Sequence, residues 1–104
     1  MPTQPAFCTL TANVQLNGVA LEKATVRARL NTNPSTVDGI FLSTAWASAK
    51  TDITGAATLK LIQQGEFTTG DGTYTVEAFY NGKKMWSVTA QMPNQSTANL
   101  EDLI

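Results

Sequence analysis

Apolar and polar residues alternate along most of this chain, and that alternation restricts the fold more than any other feature of the sequence. In the first such segment, threonine, asparagine and glutamine separate the apolar residues Cys8, Leu10, Ala12, Val14 and Leu16. A period of two places the apolar set on one face of a β-strand. Because no stretch keeps the 3.6-residue period of an amphipathic helix, the chain is predicted to be all-β.

Similar segments recur between turn-rich stretches and divide the sequence into seven short predicted strands. They cover approximately residues 8–16, 24–30, 41–51, 57–61, 74–80, 86–92 and 98–104. Frequent turn signals between short strands are typical of an antiparallel sandwich or barrel. A chain of 104 residues can bury one core. We therefore expect residues 1–104 to form a single domain, a seven-stranded antiparallel β-sandwich.

The third predicted strand contains Trp46, whose direction can be inferred from Lys50. A lysine should not face the core, and residues four apart in a strand lie on the same face. Trp46 is therefore expected to point outward, whereas Ala45, Ala47 and Ala49 should point inward.

Three apolar residues, Ile40, Phe41 and Leu42, precede Trp46 and follow the polar stretch 31–39. An exposed apolar cluster of this kind is typical of a partner interface. The alternative is that the segment folds back and buries these side chains as a small satellite core.

The last two residues, Leu103 and Ile104, form a second candidate interface. They follow Glu101 and Asp102, and we expect that they are hard to bury fully within the same domain. An exposed terminal strand can also add to a neighbour's sheet edge through backbone hydrogen bonds.

The hairpin around Asn81-Gly82 has two possible registers. A two-residue loop would place Trp86 on the face that carries Glu77. A three-residue loop with a glycine bulge would pair Val76 with Trp86 and gather the core candidates on one face. We therefore favour the three-residue loop.

The composition excludes several classes of function. The chain has no histidine and one cysteine, which removes the commonest general base, the commonest metal ligand and any intrachain disulfide. Its formal net charge of −1 lacks the basic surplus of duplex-binding proteins. No apolar run reaches the length of a membrane span. We expect no enzyme activity, no cofactor or metal, no nucleic acid partner and no membrane partner.

The acidic residues of the loops do not follow the spacing of a calcium-binding loop. We interpret Asp38, Asp52, Glu66 and Asp71 as ordinary turn residues. Cys8 lies in the inward phase of its strand and is expected to be a buried, unreactive thiol.

Three segments resemble transthyretin-like and carboxypeptidase-regulatory-like domains, which are Ig-like β-sandwiches. The segments are residues 17–26 (NGVALEKATV), 50–59 (KTDITGAATL) and 72–76 (GTYTV). One branch of that family hydrolyses hydroxyisourate, but its catalytic histidines and its terminal Tyr-Arg-Gly-Ser have no counterpart here. The resemblance therefore implies an accessory, adhesive or structural module.

The segment 88–104 (VTAQMPNQSTANLEDLI) resembles the closing segment of small tailed-phage virion proteins with this sandwich. This resemblance implies a capsid decoration (cement) protein or a head–tail accessory protein. Such a protein would be made in the host cytoplasm without Sec export, and would bind coat subunits in the virion as a homo-oligomer or a lattice-bound subunit.

The alternative function is a carbohydrate- or host-surface-binding module of a phage tail or bacterial adhesin. Such a module needs two or three coplanar exposed rings on one sheet. Trp46 and Phe79 are the strand aromatics in the outward phase, so the position of these two rings discriminates between the functions.

Overall fold

The computed structural model describes residues 6–104, which contain eleven strands and two short 3₁₀ helices. The strands are β1 (Phe7–Asn13), β2 (Gln15–Leu16), β3 (Val19–Ala20), β4 (Thr25–Leu30), β5 (Thr36–Val37), β6 (Ile40–Phe41), β7 (Ala47–Lys50), β8 (Ala56–Ile62), β9 (Thr73–Tyr80), β10 (Lys83–Gln91) and β11 (Thr97–Asn99). The 3₁₀ helices are Gln64–Glu66 and Leu100–Leu103. The prediction of an all-β chain is confirmed. Within residues 6–104, no helix is long and apolar enough to cross a membrane.

The strands form two larger sheets and two short hairpins. The three-stranded sheet has the order β11-β1-β8, and the four-stranded sheet has the order β10-β9-β4-β7. The hairpins are β2–β3 and β5–β6. All neighbouring strands are antiparallel except β1 and β11, which run parallel with Thr9 opposite Thr97. The expectation of a wholly antiparallel arrangement is wrong at this pair.

Buried side chains from both larger sheets form one hydrophobic cluster, which is the core. The predicted alternation produces this cluster in β1, β4, β8 and β9, because every second residue faces inward. Its members from these strands are Cys8, Leu10, Ala12, Val26, Ala28, Leu30, Ala57, Leu59, Leu61, Tyr74, Val76 and Ala78. Leu16 departs from the prediction: it is exposed, because the first sheet strand ends at Asn13 and β2 pairs with β3 instead.

The register of the β9–β10 hairpin differs from the favoured prediction of a three-residue loop. Asn81 and Gly82 form a two-residue turn in which both have positive φ, 51° and 78°, as a type I′ turn requires. A register shift between Lys84 and Trp86 then inserts one extra residue into β10. This bulge returns Trp86 to the face of Val76, which pairs with Val88. The shared core face is confirmed, but a bulge inside the strand produces it rather than a longer loop.

The third predicted strand is shorter than expected. β7 contains four residues, and Ala49 and Ala47 pair with the inward-facing Val26 and Ala28. Their inward phase is as predicted, but β7 is an edge strand and Ala47 remains exposed. Ala45 precedes the strand and is also exposed, so its predicted inward position is wrong.

The predicted seventh strand, residues 98–104, is wrong beyond Asn99. The chain there continues as the 3₁₀ helix Leu100–Leu103. Residues three apart share a face of such a helix, so Leu100 and Leu103 both pack against the core while Glu101 stays exposed.

Candidate functional site

The β5–β6 hairpin has one buried strand, β5, and one exposed strand, β6, which contains Ile40 and Phe41. In β5, Thr36 and Val37 are buried, whereas in β6 Ile40 is exposed and Phe41 has 76% of its surface accessible. The amide of Thr36 donates to the carbonyl of Thr69 at 3.0 Å, and the amide of Thr68 donates to the carbonyl of Thr36 at 2.8 Å. The hairpin is therefore fixed to the neighbouring loop, and Phe41 projects from it into solvent.

Leu42 differs from its two neighbours. Its amide donates to the carbonyl of Ser35 at 2.9 Å, and its side chain is half-buried against the core cluster. Ser35 is itself fully buried, and its hydroxyl donates to the carbonyl of Thr32 at 2.6 Å. The predicted apolar segment is thus divided, since Leu42 packs against the core cluster whereas Ile40 and Phe41 lie on the surface.

Trp46 lies on the outer face of the four-stranded sheet. The guanidinium carbons of Arg27 and Arg29 are 3.9 and 4.7 Å from the centroid of its ring. Both arginines alternate with the buried residues of β4, so they point outward. The Arg27 guanidinium also lies 4.5 Å from the centroid of the Phe79 ring. These are cation–π contacts, and they leave Trp46 half-buried.

The contacts of Arg27 bear on the alternative function. A sugar platform needs open, coplanar rings, but one guanidinium contacts both Trp46 and Phe79. The two rings therefore stabilise a cation within the chain and do not form an open platform.

Glu77 forms ion pairs with Arg27 and Lys84 on this outer face. Reasoning from the sequence missed this residue. Its carboxylate accepts hydrogen bonds from Nε and an Nη of Arg27 at 3.2 and 2.9 Å, and from Ser87 at 3.3 Å. It also pairs with Nζ of Lys84 at 3.0 Å. The Arg27 hydrogen bond, followed by that of Lys84, lowers the pKa of Glu77. No local sequence pattern indicates this pair, because only the register between β4 and β9 places the opposite charges face to face.

Leu103 and Ile104 occupy different environments. Leu103 is half-buried and packs against the core cluster, whereas Ile104 is exposed. Ile104 lies at a groove of about 420 Å³ that also exposes parts of Trp86, Val88 and Leu100. Ile104 therefore remains available to a partner, while Leu103 mainly holds the 3₁₀ helix in place.

A second set of exposed apolar residues, which was not predicted, lies near the start of β4, whereas the β5–β6 hairpin follows the end of β4. Val19 in the β2–β3 hairpin is exposed, as is Ile53, which has 77% of its surface accessible. The two segments are joined because the amide of Val14 donates to the carbonyl of Gly55 at 2.8 Å. A sequence signal did exist, since Val19 and Ile53 both lie beside or within turn sequences.

The loop carboxylates stabilise turns. Oδ1 of Asp52 accepts hydrogen bonds from the Thr54 amide and hydroxyl, at 2.9 and 2.6 Å, and from the Ala56 amide at 3.1 Å. Oδ1 of Asp71 accepts one from the Thr73 amide at 3.0 Å. These hydrogen bonds lower the pKa of both carboxyls. In the part of the chain that the structure describes, no three acidic or cysteine side chains gather as a metal site would require.

Cys8 is fully buried in β1, as the alternation predicts. Burial raises the pKa of its thiol, and the thiolate is the reactive form of cysteine. The side chain therefore serves as a small apolar group of the core.

No protein-family model matches this chain, and no curated protein sequence matches it.

Proposed function

We propose that this chain is a non-catalytic structural protein of a tailed-phage virion, either a capsid decoration protein or a head–tail accessory protein that binds coat subunits. The observation that carries the proposal is the display of Phe41, 76% exposed, by a hairpin whose other strand is buried. An exposed aromatic ring on a rigid frame loses little conformational entropy when a partner covers it. Aromatic anchors of this kind dominate the energetics of many interfaces.

The proposal includes a finer description of the fold, an Ig-like, transthyretin-like sandwich of seven principal strands. Three strands in one sheet and four in the other contribute to a common core, which supports this description. The parallel β1–β11 pair is a departure from the wholly antiparallel form.

The proposed interface contains Ile40, Phe41, Leu42, Trp46, Leu103 and Ile104, with unequal roles. Phe41, Ile40 and Ile104 are exposed and would contact the coat subunit directly. Leu42 and Leu103 pack partly against the core and would position them. A small module gains avidity when many copies bind a symmetric lattice, so we propose that it acts as a homo-oligomer or a lattice-bound subunit in the virion.

Co-sedimentation with coat-protein shells of the phage that encodes the chain tests this proposal. Phe41→Ser should weaken binding at least tenfold, since interface hot spots contribute about 2 kcal/mol or more. Ile53→Ser is the matched control, because Ile53 is equally exposed but lies outside the proposed interface. Failure of the wild-type chain to sediment with shells, or equal loss in both variants, would contradict the proposal.

A further inference from the structure

Charge is segregated on the surface of this protein. The strands of the four-stranded sheet place four positive side chains on its outer face: Arg27, Arg29, Lys50 and Lys84. Glu77 is the one acidic residue of these strands. The outer face therefore has a side-chain charge of +3, and since the whole chain has −1, the remaining side chains carry −4. A weakly acidic chain thus has one basic face.

A cavity of about 490 Å³ lies at the end of this face where β4 begins. Its lining consists of Lys23, Thr25, Arg27, Lys50, Phe79, Asn81 and Gly82. Three of these side chains are cations, none is an acid, and Phe79 provides an apolar wall. The lining thus offers several hydrogen-bond donors to an anionic group beside one apolar surface.

Buried hydrogen bonds hold two of these lysines at the same cavity. The hydroxyl of Thr51 accepts from the Ala24 amide at 2.8 Å and donates to the Leu21 carbonyl at 2.5 Å. The Lys23 amide donates to the Thr51 carbonyl at 3.0 Å. These bonds join the 21–24 turn to the end of β7, which places Lys23 at the same cavity as Lys50.

The ion pairs of the described chain do not include Lys23 or Lys50. Glu77 is already engaged by Arg27 and Lys84. Among residues 6–104, Lys23 and Lys50 make no ion pair, and the ammonium of Lys50 donates to the Thr25 hydroxyl at 2.6 Å. Lys23 and Lys50 therefore line the cavity without an acidic partner within that range, and an anion that enters it would be attracted by both ammonium groups.

We propose that this cavity binds the carboxylates of an acidic segment of a partner protein. The cavity is large enough for one or two side chains, and lysine ammonium groups with the Asn81 amide suit carboxylate oxygens. The charge of −4 over the rest of the surface repels any polyanion that extends beyond the cavity, so it favours a short segment with one or two carboxylates over nucleic acid. The inference uses neither Phe41 nor Ile104, so it stands independently of the proposed virion function.

Titration with a short peptide that carries two adjacent glutamates between uncharged residues, followed by amide NMR shifts at low ionic strength, tests the inference. We expect saturable shifts at Lys23, Thr25, Lys50 and the Asn81-Gly82 turn, and a loss of affinity as salt is added. Lys50→Gln should weaken binding about threefold, and combining it with Lys23→Gln about tenfold, as the loss of exposed ion pairs predicts.

Lys60→Gln is the matched control, because it removes the same charge from β8 in the other sheet. It should leave the affinity unchanged. The inference is overturned if the peptide produces no shifts, if the shifts lie elsewhere, or if Lys60→Gln weakens binding as much as Lys50→Gln. Tighter binding of an eight-nucleotide single-stranded DNA at this cavity would equally overturn the choice of an acidic protein segment.

Discussion

The two short hairpins of this protein have similar turns but different supports. Each has two consecutive residues with positive φ at its tip, Asn17-Gly18 in β2–β3 and Asp38-Gly39 in β5–β6. Both strands of β2–β3 are largely exposed, whereas the β5 strand of the other hairpin is buried. The comparison shows that exposed apolar residues are not equivalent. The hairpin of Phe41 is held by its buried strand and by hydrogen bonds between Thr36 and the loop residues Thr68 and Thr69, while the β2–β3 hairpin is fixed mainly at its base.

Of the substitutions that compare the two hairpins, one at the base of β2–β3 should lower the free energy of unfolding the most. In Gly55→Ala, the new Cβ would lie 2.6 Å from the Val14 carbonyl oxygen at a φ of +80°. Left-handed strain and overpacking together should lower the free energy of unfolding by about 3 kcal/mol. Gly18→Ala at the hairpin tip, with no neighbour within 4 Å, should cost about 1 kcal/mol. Urea unfolding of both variants measures the difference, and equal losses would contradict the stated packing at Gly55.

The buried strand of the β5–β6 hairpin can be weakened by shortening one of its buried side chains. Val37 is buried, so Val37→Ala should lower the free energy of unfolding by about 2 kcal/mol through lost burial and a residual cavity. Phe41→Ala on the facing strand should change it by less than about 0.5 kcal/mol. If thermal unfolding shows the larger loss for Phe41→Ala, then Phe41 is part of the core and is not displayed.

Acid should weaken turns near both hairpins. The hydrogen bonds from Thr54 to Asp52 and from Thr73 to Asp71 hold both carboxyl pKa values below their ordinary 3.8. A lowered folded-state pKa gives stability that is present above the ordinary aspartate pKa and is lost as the pH falls through the lowered value. Asp52→Asn and Asp71→Asn should each reduce the decline of melting temperature below about pH 4. A pH profile identical to that of the wild type in either variant would contradict the role of that residue.

The alternation of residues determined much of the fold in advance. It placed Leu10, Val26, Leu59 and Val76 in the core because local periodicity is visible in the sequence. It could not place features that depend on contacts between distant segments. The bulge of β10, the parallel pairing of β11 and the departure of Leu16 from the first sheet all depend on tertiary pairing.

The candidate surfaces were predictable to different extents. The outward direction of Trp46 followed from the position of Lys50, whereas the sequence left open whether Phe41 is exposed or packs in a satellite core. The Arg27–Glu77 pair and the basic cavity did not follow, since they join residues about 50 positions apart in the sequence. Only the strand register brings such residues together.

The smallest expected effect concerns surface residues of the two hairpins. Val19→Ser and Ile40→Ser should each change the free energy of unfolding by less than about 0.5 kcal/mol, because both side chains are exposed. In the co-sedimentation assay, however, Ile40→Ser should weaken shell binding and Val19→Ser should not. Loss of binding in Val19→Ser alone would move the proposed interface to the β2–β3 end.

Hydrogen–deuterium exchange of the chain, free and bound to coat-protein shells, shows which hairpin the partner covers. Amides of residues 36–41 should exchange more slowly in the bound state, while those of residues 15–20 should exchange at the same rate in both states. Protection confined to residues 15–20, with no change at 36–41, would contradict the claim that the β5–β6 hairpin binds the coat subunits.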